Sequence, residues 1–123
     1  MVSLAIVGAR TFCDYELLCA EVTKQCAEWN IELADIQCIV GGHCKGADLL
    51  GEQFAQEHKI KTNVLKPDWK KHGKSAGFRR NVDIVNAATH VIAFPSKLGS
   101  GTQHTIKLAQ QLGKPCFVIE FDA

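Results

Sequence analysis

The feature that most constrains this chain is its alternation of short, unbroken apolar runs with longer segments of helical spacing. Residues 3–8 ("SLAIVG"), 36–42 ("IQCIVGG"), 62–67 ("TNVLKP"), 89–95 ("THVIAFP") and 114–121 ("KPCFVIEF") have strand length and little polar interruption. Between them, residues 14–29, 46–58, 77–88 and 101–113 repeat apolar positions at helical spacing. Leu18, Val22 and Cys26 form one stripe, and Ala47, Leu50 and Phe54 another. Asp14 is placed to cap the first helix and Gly113 to close the last. Strands without polar alternation bury both faces, so the sheet is parallel and lies between two helical layers. Right-handed crossovers make it doubly wound. The expected architecture is a single Rossmann-like three-layer α/β/α domain with a mostly parallel five-stranded sheet, over residues 1–123.

Bulk properties narrow the function. A net charge of +1, with 46% hydrophobic and 22% charged residues, describes a globular chain and weighs against a nucleic-acid partner. No apolar run approaches the ~20 residues of a membrane span. The opening "MVSLAIVGAR" reads as a first strand rather than a signal peptide. Six cysteines occur without a Cys-x-x-Cys pair, several inside apolar runs, which suits free thiols in a cytoplasmic protein.

The connections differ by edge. Helix-to-strand links are short or bland, whereas strand-to-helix links ("GARTFCD", "GGHCKGAD", "PDWKKHGKSAG", "PSKLGSGTQH") are long, glycine-rich and carry Arg10, His43, Lys45, Trp69, Lys74 and His104. In open α/β sheets, ligands bind beyond the carboxyl ends of the strands. Each such link enters a helix N-terminus, where free N–H groups favour an anion. The strongest cradle is residues 98–102, with Gly99, Ser100, Gly101 and Thr102; the second is residues 41–48, with Gly42 and Gly46. Tight turning alone also explains a glycine-rich loop.

"HGKSAGFRRN" (72–81) imitates a triphosphate loop without being one. The required glycine five residues before Gly73 is Asp68, an anion where an anion should bind. From Lys66 to Arg80 there are six basic residues against Asp68 alone. Arg79 and Arg80 open a helix, where cations oppose the dipole, and an incoming phosphate removes that conflict. Adjacent helical residues point in different directions, so one of the two is expected to face the site.

Together "GARTFCDYELL", "GGHCKGADLLGEQFAQEHKI", "PDWKKHGKSAGFRRN" and "GSGTQHTIKLAQQLGKP" resemble the YspA-like (cpYpsA-related) branch of the SLOG superfamily, which includes the lysine-decarboxylase-like phosphoribohydrolases and the DprA-type single-strand-binding proteins. The resemblance covers nearly the whole chain. It implies a Rossmann-like sheet that binds a nucleotide or nucleotide-derived ligand. It assigns Gly8 and Arg10 to the first loop and Gly42, Gly46 and Asp48 to the second. It assigns Asp68, Trp69, Gly73, Lys74, Gly77, Arg80 and Asn81 to the third, and Gly101, Thr102 and His104 to the fourth. His43 stands where this branch usually has a second glycine, and Thr105 where the phosphoribohydrolases carry a catalytic glutamate.

The expected function is binding of a phosphorylated nucleoside or ADP-ribose-like ligand as a sensor or sequestering protein, with no resident cofactor or metal. Phosphate is expected on the N-termini at Gly46 and Gly101, Arg10 and Arg80 as counter-charges, and Asp48 at the ribose. The alternatives are an N-glycosidic hydrolase using Asp48 or Glu52, and a DprA-type single-strand DNA binder. Trp69 suits either stacking on a base or covering the core edge. Exposed sheet edges and the small size suit a homodimer.

Overall fold

The computed structural model describes residues 1–97 and 100–121, so Gly99 lies outside the described residues. The strands are β1 (Val2–Gly8), β2 (Ile36–Gly41), β3 (Lys61–Val64), β4 (His90–Phe94) and β5 (Cys116–Val118). The α-helices are α1 (Tyr15–Glu28), α2 (Ala47–Glu57), α3 (Trp69–His72), α4 (Ala76–Ala87) and α5 (Gly101–Gln111). The sheet order is β3-β2-β1-β4-β5, and all four pairings are parallel. The expected fold is therefore found, with the sheet wholly rather than mostly parallel. Strand order reverses between β1 and β4, which opens a crevice above Gly8 and Phe94.

Burial on both faces follows from the period of two along a strand. Leu4 and Ile6 of β1 and Ile92 and Phe94 of β4 join Leu18, Val22 and Phe54 in the core beneath α1 and α2. Their neighbours Ala5, Val7, Val91 and Ala93 face Ile84, Val85, Ile106 and Ala109 of α4 and α5. Each fully buried Leu, Ile or Phe contributes about 1.5–3 kcal/mol, so two apolar layers hold the sheet.

Local signals explain the helix ends. Asp14 Oδ1 accepts from the Leu17 N–H at 3.0 Å, as its capping position requires. Gly113 follows α5 at φ +69°, and the Lys114 N–H returns to the Ala109 carbonyl at 2.9 Å. The end of α4 lacks a basic residue of its own. Lys114 supplies the charge from outside: its Nζ donates to the carbonyls of Val85, Asn86 and Ala88.

Three boundaries differ from the sequence expectation. β3 stops at Val64, before Lys66-Pro67, and β5 covers only Cys116–Val118, starting after Pro115, which has no N–H to donate. The link after β3 is not an open loop. Asp68 Oδ1 accepts from the Lys71 N–H at 3.1 Å and starts α3, and a 3₁₀ turn over Gly73–Ser75 leads into α4. Arg79 and Arg80 consequently sit one turn inside continuous helical backbone, not at its opening.

Candidate functional site

A two-lobed cleft occupies the crevice between β1 and β4. The inner lobe, of about 350 Å³, is lined by Gly8, Ala9, Arg10 and Thr11 after β1, Asp48 of α2, Arg80 and Asn81 of α4, Ser96 after β4, and Gly101, Thr102 and Thr105 of α5. The outer lobe, of about 570 Å³, takes Gly42 and His43 after β2, Lys66, Trp69 and Lys74 after β3, and Gly77 and Phe78 of α4. Arg10, Cys44, Arg80, Asn81 and Gly101 line both lobes.

Asp48 anchors the inner lobe. It is only 5% exposed. Its Oδ1 accepts from the Gly8 N–H at 3.3 Å, and its Oδ2 from Gly42 at 3.1 Å and Cys44 at 3.5 Å. One carboxylate thus clasps the ends of β1 and β2. Burial pushes the carboxyl above its ordinary range, against the pull of Arg80 and of those three N–H groups. A buried carboxylate with its acceptors so engaged sets the backbone shape of the cleft.

At the N-terminus of α2 the first N–H is already taken. The Ala47 N–H donates to the Ala9 carbonyl at 3.3 Å, and Gly46 is absent from both linings. Gly46 lies at φ +94°, where a Cβ would fall 2.2 Å from the Ala9 carbonyl oxygen. The positive φ and the close Ala9 carbonyl by themselves require a glycine at this position. The N-terminus of α5 differs: Gly101 and Thr102 face the inner lobe, and a Cβ on Gly101 would meet nothing within 4 Å.

Arg80 and not Arg79 enters the cleft. Arg80 Nη1 donates to the Gly42 carbonyl at 3.0 Å and lies 3.6 Å from Cys44 Sγ, while its Nε donates to Asn81 Oδ1 at 3.1 Å. Arg79 instead reaches back to Ser75 Oγ at 3.2 Å. Asn81, 7% exposed, also donates to the Gly101 carbonyl at 3.3 Å and lies 3.2 Å from His104 Nδ1. Arg10 is exposed and, among the described residues, has no acidic partner. Among the described residues, Arg10, Lys66, Lys74 and Arg80 therefore bring four cations to the cleft lining against the single carboxylate of Asp48. A positive, concave, partly desolvated surface concentrates anions.

The other expected residues fall around this cleft. His43 adopts φ +60°, a conformation that favours glycine, and its Nδ1 lies 2.8 Å from Glu52 Oε2. Glu52 is outside both linings, as are Lys45 and Ser100. His104 stands beside the cleft, its ring edge-on to Phe78 with centroids 4.7 Å apart. Thr105 is 2% exposed, and its Oγ1 donates to the Gly101 carbonyl at 3.4 Å. Thr11, Ser96 and Phe78 are lining residues that the sequence did not single out. Phe78, an aromatic residue beside Gly77 on a polar helix start, carried a readable signal. Among the described residues, no group of three His, Cys, Asp or Glu side chains could hold a metal ion. No helix among them is long and apolar enough to cross a membrane.

Comparison with known proteins adds three findings. The model of the YspA, cpYpsA-related SLOG family matches residues 2–72. The Gene 61 protein of Mycobacterium phage D29 is 35% identical over 89 residues, covering 68% of this chain and 70% of that protein. The structure of DNA processing protein A from Helicobacter pylori, described for its single-stranded DNA binding mode, superposes with a TM-score of 0.67 at 20% identity. It covers 95% of this chain, which spans 64% of that one. This neighbour corrects the expectation that set nucleic acid aside. A fold of this kind binds single-stranded DNA in that protein, so a net charge of +1 is no ground for exclusion. Charge gathered along one cleft matters more than charge summed over a chain.

Proposed function

Because this chain belongs to the YspA, cpYpsA-related SLOG family, we propose that its cleft binds a phosphorylated nucleoside or an ADP-ribose-like nucleotide, as a sensor or sequestering protein. The observation that carries this reading is the convergence of Arg10, Arg80 and the first turn of α5 on one inner lobe where Asp48, the only carboxylate among the described lining residues, is already engaged. The phosphate rests against the Gly101 and Thr102 backbone, and the two guanidinium groups neutralise it. Asp48 acts by holding the β1 and β2 loops in place. Hydrolysis is the weaker reading, since Asp48 already accepts from three backbone N–H groups, Glu52 lies outside both linings and pairs with His43, and Thr105 is an alcohol turned to its own helix.

Titration calorimetry with nucleoside 5′-monophosphates, ADP and ADP-ribose tests this. Binding should weaken by about tenfold or more in Arg80→Ala or Arg10→Ala, the scale of a lost charge-assisted hydrogen bond. Equal affinity in both variants would sink the reading.

A second reading is single-stranded DNA. It is favoured by the outer lobe, where Trp69 and Phe78 are exposed beside Lys66 and Lys74, and by what the Helicobacter pylori neighbour binds. Its mark is an oligonucleotide affinity that falls linearly on a log–log plot against salt. A homodimer is part of the proposal, with the edge strand β3, whose Lys61, Thr62 and Asn63 are exposed, as one available surface. Sedimentation tests it.

A further inference from the structure

The two lobes differ in chemistry as well as size. The inner lobe offers a helix N-terminus and guanidinium groups. The outer lobe offers two large aromatic rings that folding leaves unburied: Trp69 is 58% and Phe78 52% exposed. Fully burying such rings contributes about 1.5–3 kcal/mol each, so leaving two of them on the lining of one concavity calls for an occupant. Neither ring is loose. Phe78 is held edge-on by His104. Trp69 sits on α3, whose start Asp68 caps, and its ring edge lies 3.8 Å from the position a Cβ on Gly77 would take.

Gly77 adds an independent observation. It lies in the first turn of α4, where glycine costs roughly 0.5–1 kcal/mol relative to alanine. Its backbone needs no positive φ, and an added Cβ would meet only that Trp69 contact. Gly101, across the cleft, likewise has open space where its Cβ would stand. Two helical positions on the lining of the cavity are thus kept without a side chain.

We propose that the outer lobe is a nucleobase subsite, with Trp69 as its stacking face and Phe78 as a side wall, joined to the phosphate lobe at Arg10 and Arg80. A phosphorylated nucleoside then lies with its phosphate at Gly101, its sugar at the waist and its base over Trp69. This rests on the phosphate reading above and adds a ligand orientation to it. The base is that of a free nucleotide or of a residue in a single strand, and the two sources share the same stacking chemistry.

The test uses Trp69 as its own reporter. The chain has two tryptophans, and Trp29 packs on His90 at the start of β4, the far end of the strand from the cleft. In a Trp29→Phe background, fluorescence and calorimetry are followed with ribose 5-phosphate, adenosine 5′-monophosphate and a short single-stranded oligonucleotide. The mononucleotide should bind about tenfold or more tightly than ribose 5-phosphate, within the range of one base stack, and should quench Trp69. Trp69→Ala should remove that advantage, so that the mononucleotide binds no more tightly than ribose 5-phosphate, and Trp69→Phe should restore most of it. Quenching and a Trp69-dependent affinity with the oligonucleotide alone would support the subsite and assign its base to a strand. Equal binding of ribose 5-phosphate and mononucleotide, without quenching by either base-bearing ligand, overturns the subsite and leaves the phosphate reading standing. Absence of binding by all three ligands overturns both.

Discussion

Arg80 and Gly42 constrain each other. The guanidinium Nη1 donates to the Gly42 carbonyl at 3.0 Å, and a Cβ built on Gly42 would stand 2.3 Å from that same nitrogen. The glycine is therefore where an arginine from α4 passes closest to the β2 loop. The arginine in turn ties α4 to the sheet edge at the waist of the cleft. Gly42→Ala should displace Arg80 and lower nucleotide affinity by about tenfold or more, with a fold intact by circular dichroism. Unchanged affinity in titration calorimetry would show that Arg80 need not occupy this position.

Asp48 predicts a pH dependence of stability. Its carboxyl is raised in the folded protein, chiefly by burial. The stability it contributes is thus fully present below the ordinary carboxylate value of about 3.9 and is lost as pH rises through the raised value. Asp48→Asn should abolish that dependence. It should also cost about 1–3 kcal/mol, because an amide turns a donor towards at least one of the three N–H groups. Denaturant melts across the acid range, compared between wild type and variant, measure both effects.

Asn81 holds Arg80 and His104 from one buried amide. Asn81→Ala should free the guanidinium and weaken nucleotide binding by up to about tenfold. Asn81→Asp keeps the acceptor for Arg80 Nε and should lose less. If both variants bind as wild type does, Asn81 serves the packing of α4 on α5 alone.

Lys114 caps α4 from the neighbouring loop. Lys114→Met keeps the stem and removes the charge, leaving three carbonyls at a helix C-terminus without their donor. About 1–2 kcal/mol of stability should be lost, with ligand affinity unchanged. A urea midpoint equal to wild type would contradict this.

The layered fold was legible because unbroken apolar runs such as residues 89–95 leave no polar face for solvent. Much of the cleft was legible because Arg10, Trp69, Lys74 and Gly101 lie in links that one sheet edge must gather. The helical pattern alone did not separate Arg79 from Arg80, and only the family resemblance pointed to Arg80. Which one faces the cleft depends on the phase at which α4 starts, after α3 and the 3₁₀ turn over Gly73–Ser75. The place of Gly46 was hidden for another reason. A glycine required by a positive φ and one required by a ligand look alike in sequence, and only the backbone separates them. Asp48 was readable as a polar residue near the site. Two of its N–H donors, Gly42 and Cys44, lie in the loop just before it, but the third, Gly8, comes from β1, so the clasp across two strands was visible only once β1 and β2 were paired.

The most direct test of anion binding at the inner lobe is an amide-resolved NMR titration with a nucleoside 5′-monophosphate, together with the nucleoside lacking phosphate. The largest phosphate-dependent shifts are expected at the Gly101 and Thr102 amides and in the Arg10 loop, with the Arg80 side chain perturbed and the α2 start at Ala47 nearly still. Shifts that need no phosphate, or that centre on α2 or on a face remote from β1 and β4, would contradict an anion site at the α5 N-terminus.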